Sequence, residues 1–140
     1  MLFRRDLVIV AGLMPGIKLK IFAPAVIWGL AILAASSIPF ITPPSIGFKI
    51  EDKMAHFVEY FILGFLLARG FSRHGWGKGK AFLASAGISG VYGILDELYQ
   101  LLIPGRQTDG LDMLADLAGS FCAAGIYIIA VRKSHGNRRP

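Results

Sequence analysis

The chain has 140 residues, of which 54% are hydrophobic and 17% charged, and its mean hydropathy is +0.58. A soluble domain carries about 25% charged residues, so the composition argues against an ordinary soluble fold and for a membrane-embedded one. The net charge of +6 comes from basic residues placed between apolar runs, which suits membrane loops better than a nucleic-acid surface, and the single cysteine, Cys122, excludes an internal disulfide and any cysteine-based metal site.

The first 20 residues open with Met1-Leu2-Phe3-Arg4-Arg5 and a short apolar run, Leu7 to Met14. This resembles the start of a signal peptide, but no small-residue cleavage site follows. Residues 1–20 therefore read as a retained basic segment lying at the membrane interface. Ile21 to Phe40 is then apolar and uncharged, and a spanning helix needs about 20 such residues. Ile41 to Glu51, with Pro43-Pro44, is a loop too short to fold alone. Met54 to Phe71 is the second expected span, Ala81 to Ile103 the third and Leu111 to Val131 the fourth. Residues 132–140 form a basic tail. The expected fold is an all-α integral membrane protein, a four-transmembrane-helix bundle whose membrane domain covers residues 21–131.

Charge orients this bundle. Arg4, Arg5, Lys18 and Lys20 precede the first span; Arg69, Arg73, Lys78 and Lys80 lie between the second and third; Arg132, Lys133, Arg138 and Arg139 follow the fourth. Twelve of the fifteen basic residues thus share one side, and the positive-inside rule makes both termini cytoplasmic. His74 and His135 fall on that side and read as loop residues. Eight of the nine acids fall at or near the opposite, outer ends, all but Asp6. Only Lys49, Lys53 and Arg106 face them there.

Three polar stripes follow from helical spacing. On the third span, Ser85, Ser89, Tyr92, Asp96 and Gln100 share a face. Glu97 lies about 100° round the helix, in line with Gly93, Gly90 and Ala86. Small residues at that spacing let helices approach closely, so Glu97 is expected against a packed neighbour. On the second span, Asp52, His56 and Glu59 share a face that Tyr60 continues. On the fourth, Asp109, Asp112, Asp116 and Ser120 do so, beside the small residues Ala115, Gly119 and Ala123. Cys122 sits in an apolar run and reads as a buried, inert thiol. The ten Leu, Ile, Val and Phe residues of the third span favour insertion by roughly 3–6 kcal/mol. Two ionised acids at mid-bilayer would cost roughly 5–7 kcal/mol. The near-cancellation means that Asp96 and Glu97 need partners, protons or water.

Taken in order, Ser36-Ser37-Ile38-Pro39, Asp52-Lys53-x-x-His56-x-x-x-Tyr60, Gly93-Ile94-Leu95-Asp96-Glu97-x-x-Gln100, Pro104-Gly105-Arg106, Asp112 and Gly119 resemble the VanZ-like family over residues 21–131. The resemblance implies a small, multi-pass protein of the bacterial cytoplasmic membrane. The family's founding member is associated with resistance to the glycopeptide teicoplanin. Asp52, Lys53, His56, Asp96, Glu97, Gln100, Arg106 and Asp112 match the family pattern. Asp116 departs from it, since the family often carries Asn there.

The residues themselves support a site facing the outer leaflet that binds or modifies an envelope component. Asp96, Glu97 and His56 are its candidate catalytic groups, able to move protons. Asp52, Lys53, Gln100, Arg106, Asp112 and Asp116 are its candidate binding groups, with the Arg106 fork suited to phosphate or carboxylate. Membrane lipids are the expected partners, and a lipid-linked precursor or a glycopeptide the expected ligand; nothing points to nucleic acid. No cofactor is implied, since no strand precedes a Gly-rich phosphate loop. No metal site is assigned, because one histidine and no HExxH is thin evidence. A divalent cation held by His56, Glu59, Asp96, Glu97, Asp112 and Asp116 stays open as a variant, as do proton or cation transport and a non-catalytic scaffold in an envelope complex.

Overall fold

A computed structural model describes residues 19–39, 50–106 and 109–136. Among these residues there are four α-helices and no strand: α1 (Leu19–Ser36), α2 (Ile50–Arg73), α3 (Lys78–Gln100) and α4 (Gly110–Gly136). The expected N-terminal segment up to residue 18, the proline-containing loop at 40–49 and the last four residues lie outside the described residues. The helices run alternately up and down. Ser36, Ile50, Gln100 and Gly110 therefore share one end, here the acidic end, and Arg73 and Lys78 mark the basic end.

Three helices, α2, α3 and residues 110–130 of α4, are long and apolar enough to cross a membrane. The first expected span is shorter than its sequence suggested. Helix α1 stops at Ser36, where the apolar run continues to Phe40. The Ser37 hydroxyl donates to the Leu33 carbonyl at 2.6 Å, and a residue before proline, here Ile38, disfavours helical geometry. At 18 residues α1 is roughly 27 Å long. The third helix also ends early, at Gln100 and not Ile103. Leu101 to Gly105 form turns before Arg106, and Gly105 supplies a φ of +80°. Helix α4, in contrast, continues past Val131 to Gly136.

The bundle keeps its polar groups inside, beside an apolar core, and presents an apolar surface outside. Val26, Leu30, Leu83, Val91, Leu95 and Ile129 project outward. Ser85, Ser89, Asp96, Glu97, Asp116 and Ser120 are buried. A water-soluble protein arranges these groups the other way. Cys122 corrects the expectation of a buried thiol: it is exposed, because it lies on the lipid-ready face of α4. An apolar run says that a residue is hydrophobic, but not which way its helix turns it.

Helices α2 and α4 form the most extensive contact. Their backbones nearly touch. A Cβ on Gly64 would lie 2.9 Å from the Ser120 carbonyl oxygen, and one on Gly119 would run into the Phe57 carbonyl and the Phe61 amide. The stripe of Ala115, Gly119 and Ala123 thus faces a neighbour, as small residues permit. Near the acidic end, α1 joins α3 and α2 through side chains: Tyr92 donates its hydroxyl to Gly29 O at 2.7 Å, and Trp28 Nε1 donates to Glu59 O at 2.9 Å. Toward the basic end, Leu63, Leu67 and Phe71 of α2 pack with Ala25 and Phe22 of α1.

Gly119→Val should force α2 and α4 apart and cost about 1–3 kcal/mol or more. Its melting temperature in detergent should fall clearly below that of Gly87→Val, where a side chain meets only open space. Equal melting temperatures would contradict the close α2–α4 contact.

Candidate functional site

The acidic end of α3 splits its polar groups between two neighbours. Asp96 faces α1: Ser36 Oγ donates to its Oδ2 at 2.7 Å, and Gln100 Nε2 donates to the same oxygen at 3.1 Å. One residue on, the helix turns Glu97 toward α2 and α4, where it is 0% exposed. Its Oε1 lies 3.6 Å from His56 Nδ1. Asp116 of α4 approaches the same nitrogen, with Oδ1 at 3.0 Å. Gly93, one turn before Glu97, makes room for this carboxylate, since a Cβ there would lie 2.8 Å from Asp116 Oδ2.

Lys53, one turn before His56 on α2, reaches the start of α4. Its ammonium donates to Asp109 Oδ2 at 2.6 Å and to Asp112 Oδ1 at 2.9 Å. Asp109 also caps α4: the Leu111 amide donates to its Oδ1 at 2.9 Å. The ion pair and the helix start are therefore fixed by one side chain. Lys53 and Asp112, both expected to contact a ligand, are thus already engaged with each other.

On the other side of His56 lies a cavity of about 230 Å³ between α1, α2 and the turn after α3. Ser36, Asp52, His56, Glu59, Gln100 and Arg106 line it. His56 is the junction, being 6% exposed, touching Asp116 and Glu97 on the inside and lining the cavity as well. Asp52, His56 and Asp112 offer donor atoms within 4.8 Å of one another.

The nine expected site residues therefore gather at one end but do not share one pocket. Asp52, His56, Gln100 and Arg106 border the cavity. Asp96 is locked behind Ser36 and Gln100. Glu97 and Asp116 lie deeper, against His56. Lys53 and Asp112 close the α2–α4 side. Two contributors were named in the sequence motifs but given no site role. Ser36 was visible only as part of the Ser36-Ser37 pair that ends α1, with nothing to say that it would bond an acid sixty residues away. Tyr60, which continues the His56 face, is fully buried, and its hydroxyl has no hydrogen-bond partner among the described residues.

Beneath this cluster the polar seam narrows. Ser120 donates to Ser89 Oγ at 2.7 Å, and Ser89 reaches Tyr60 O at 3.5 Å. Ser85 bonds back to Ala81 O on its own helix at 2.7 Å. Ala68, Ala86 and Ala124 close the space beyond with apolar contacts. The polar groups thus form a pocket-like end and not a continuous column.

No curated protein and no solved structure matches the chain. A family model described as VanZ/LLP1 matches residues 13–131. That match spans every element that builds the acidic end, from the Ser36 terminus of α1 to Ser120 of α4, and the chain belongs to the VanZ/LLP1 family.

Proposed function

We propose that this VanZ-like membrane protein holds an anionic, lipid-linked component of the bacterial envelope at its acidic end, and that this end faces the outer leaflet of the cytoplasmic membrane. One observation carries the reading. The α1–α2–α3 interface combines a polar cavity, bordered by Arg106, His56 and Gln100, with an apolar groove of about 480 Å³ further along the same helices. Phe22, Gly29, Leu30, Leu67 and Tyr92 line the groove. A polar recess and a hydrocarbon recess on the same three helices suit a ligand with a charged head and an acyl or prenyl tail.

Arg106 would hold a phosphate or carboxylate oxygen pair with its planar fork. His56, at the junction of cavity and interior, would pass a proton if the component is modified as well as bound. Of the two candidate acids for that role, Glu97 lies 3.6 Å from His56 Nδ1 and Asp96 is held by Ser36 and Gln100 beside the cavity wall. The polar seam, closed by alanines on the basic side, gives transport less support. A connection to teicoplanin tolerance would follow if the bound component is the antibiotic's target or the glycopeptide itself.

The orientation rests on charge. The basic residues of the α2–α3 turn and of the chain ends would stay in the cytoplasm, with α1 as the fourth crossing. A green fluorescent protein fused after Pro140 should fluoresce, and alkaline phosphatase fused there should be inactive. The opposite pair of results would place the acidic end inside and sink the outer-leaflet reading.

For ligand binding, the purified chain in nanodiscs should bind a polyprenyl diphosphate. Arg106→Lys should weaken that binding by about 10-fold, or ~1.4 kcal/mol, because it loses the paired hydrogen bonds. In a sensitive host, the native chain should raise teicoplanin tolerance and Asp96→Asn should lose the effect at equal protein abundance. If instead Asp96→Asn lowers abundance and any surviving protein protects fully, the acid acts as a structural tie between α1 and α3.

A further inference from the structure

We infer that His56, Glu97 and Asp116 form a binding site for one divalent transition-metal cation, with zinc the best match. Their donor atoms lie within 4.8 Å of one another and all three residues are buried. The site is built from three helices, with His56 on α2, Glu97 on α3 and Asp116 on α4, so no local sequence motif announces it.

A cluster of acids is common without a metal, and two further observations single this one out. The first is the unanswered hydrogen-bonding capacity at its centre. Both Glu97 oxygens and Asp116 Oδ2 are buried and accept from no side chain among the described residues, and only the Asp109 backbone amide approaches Glu97. Buried carboxylate oxygens without donors are costly. An imidazolium at His56 would answer Asp116 Oδ1 at 3.0 Å and lie 3.6 Å from Glu97 Oε1, but it would leave Glu97 Oε2 and Asp116 Oδ2 without a side-chain donor. A cation accepts lone pairs from several oxygens at once, and a dication balances the two carboxylates while leaving the imidazole neutral, which is the form that ligates.

The second observation is spacing. Donors on a tetrahedral zinc, with bonds of about 2.0–2.1 Å, lie roughly 3.3 Å apart. The Asp116 and Glu97 oxygens lie 3.0 and 3.6 Å from His56 Nδ1, on either side of that value. The alternative triad of Asp52, His56 and Asp112 is less suited: Asp112 already accepts from Lys53, and Asp52 is only partly buried. One imidazole and two carboxylates suit zinc or manganese better than magnesium, which keeps most of its waters. Three protein ligands leave a fourth position open, as at catalytic zinc centres. His56 is also the one residue of the three that lines the cavity.

The inference goes beyond the envelope reading and is tested without any envelope ligand, so either can fail alone. The tag-free full chain, purified in detergent, is treated with EDTA, loaded with Zn²⁺ and passed through gel filtration, and its metal is measured by mass spectrometry. About one zinc per chain should be retained. Glu97→Gln and Asp116→Asn should each cut zinc affinity by more than the roughly 10–100-fold that outer-shell changes cost. His74→Gln, in the turn at the basic end, should retain zinc. A metal-free native chain, or full retention by Glu97→Gln, would overturn the site. Co²⁺ bound to the native protein gives a reading that needs no variant. Intense visible absorption supports a low-coordinate nitrogen–oxygen site, and a spectrum no stronger than that of aqueous Co²⁺ overturns it.

Discussion

Everything at the acidic end depends on bringing two carboxylates from different helices to one imidazole. Asp116 and Glu97 reach His56 only because α2, α3 and α4 pack more closely there than ordinary side chains would allow. Gly93 clears the space for Asp116, and Gly64 and Gly119 let the backbones of α2 and α4 meet one to two turns away. The small residues and the charged residues are therefore parts of one device. Without the close crossing, the carboxylates would separate from the imidazole and each would face hydrocarbon alone, at a cost that helix hydrophobicity barely covers.

Around that centre, hydrogen bonds fasten the helix ends in pairs. Ser36 and Gln100 tie α1 to α3 through Asp96, and Lys53 ties α2 to α4 through Asp109 and Asp112. These ties use up some of the groups that might otherwise meet a ligand. The cavity wall combines groups from those ties, Ser36 and Gln100, with Asp52, His56, Glu59 and Arg106. Lys53 thus ties helix ends, and His56 connects the interior with the cavity.

Much of this was legible one helix at a time. The polar stripes on α2, α3 and α4, the small-residue stripes and the inward turn of Glu97 all follow from the 3.6-residue repeat, because a repeat fixes which residues share a face. What a repeat does not carry is the pairing between faces. Nothing in the spacing says that Ser36 answers Asp96, or that Lys53 answers Asp109 and Asp112 and not Glu97. Nor does hydrophobicity set helix ends: Ser37 and Pro39 stop α1, and the turn through Gly105 stops α3, although the apolar runs continue past both. Cys122 was misplaced because the apolar run alone was read there, whereas the repeat puts it about 200° round the helix from the buried Ser120.

Position 116 shows where geometry and charge part company. The sequence resemblance leads one to expect asparagine there, and an asparagine could keep the contact with His56, because its amide also hydrogen-bonds an imidazole nitrogen. The position of the side chain is thus compatible with either residue, but the charge is not. Aspartate adds a second buried carboxylate beside Glu97, with Oδ2 left unanswered by any described donor. A chain that has taken on that burden needs a positive charge or a proton at the junction, and among the described residues His56 is the cationic side chain that contacts both acids. Lys53 is held one turn away by Asp109 and Asp112 and does not stand in.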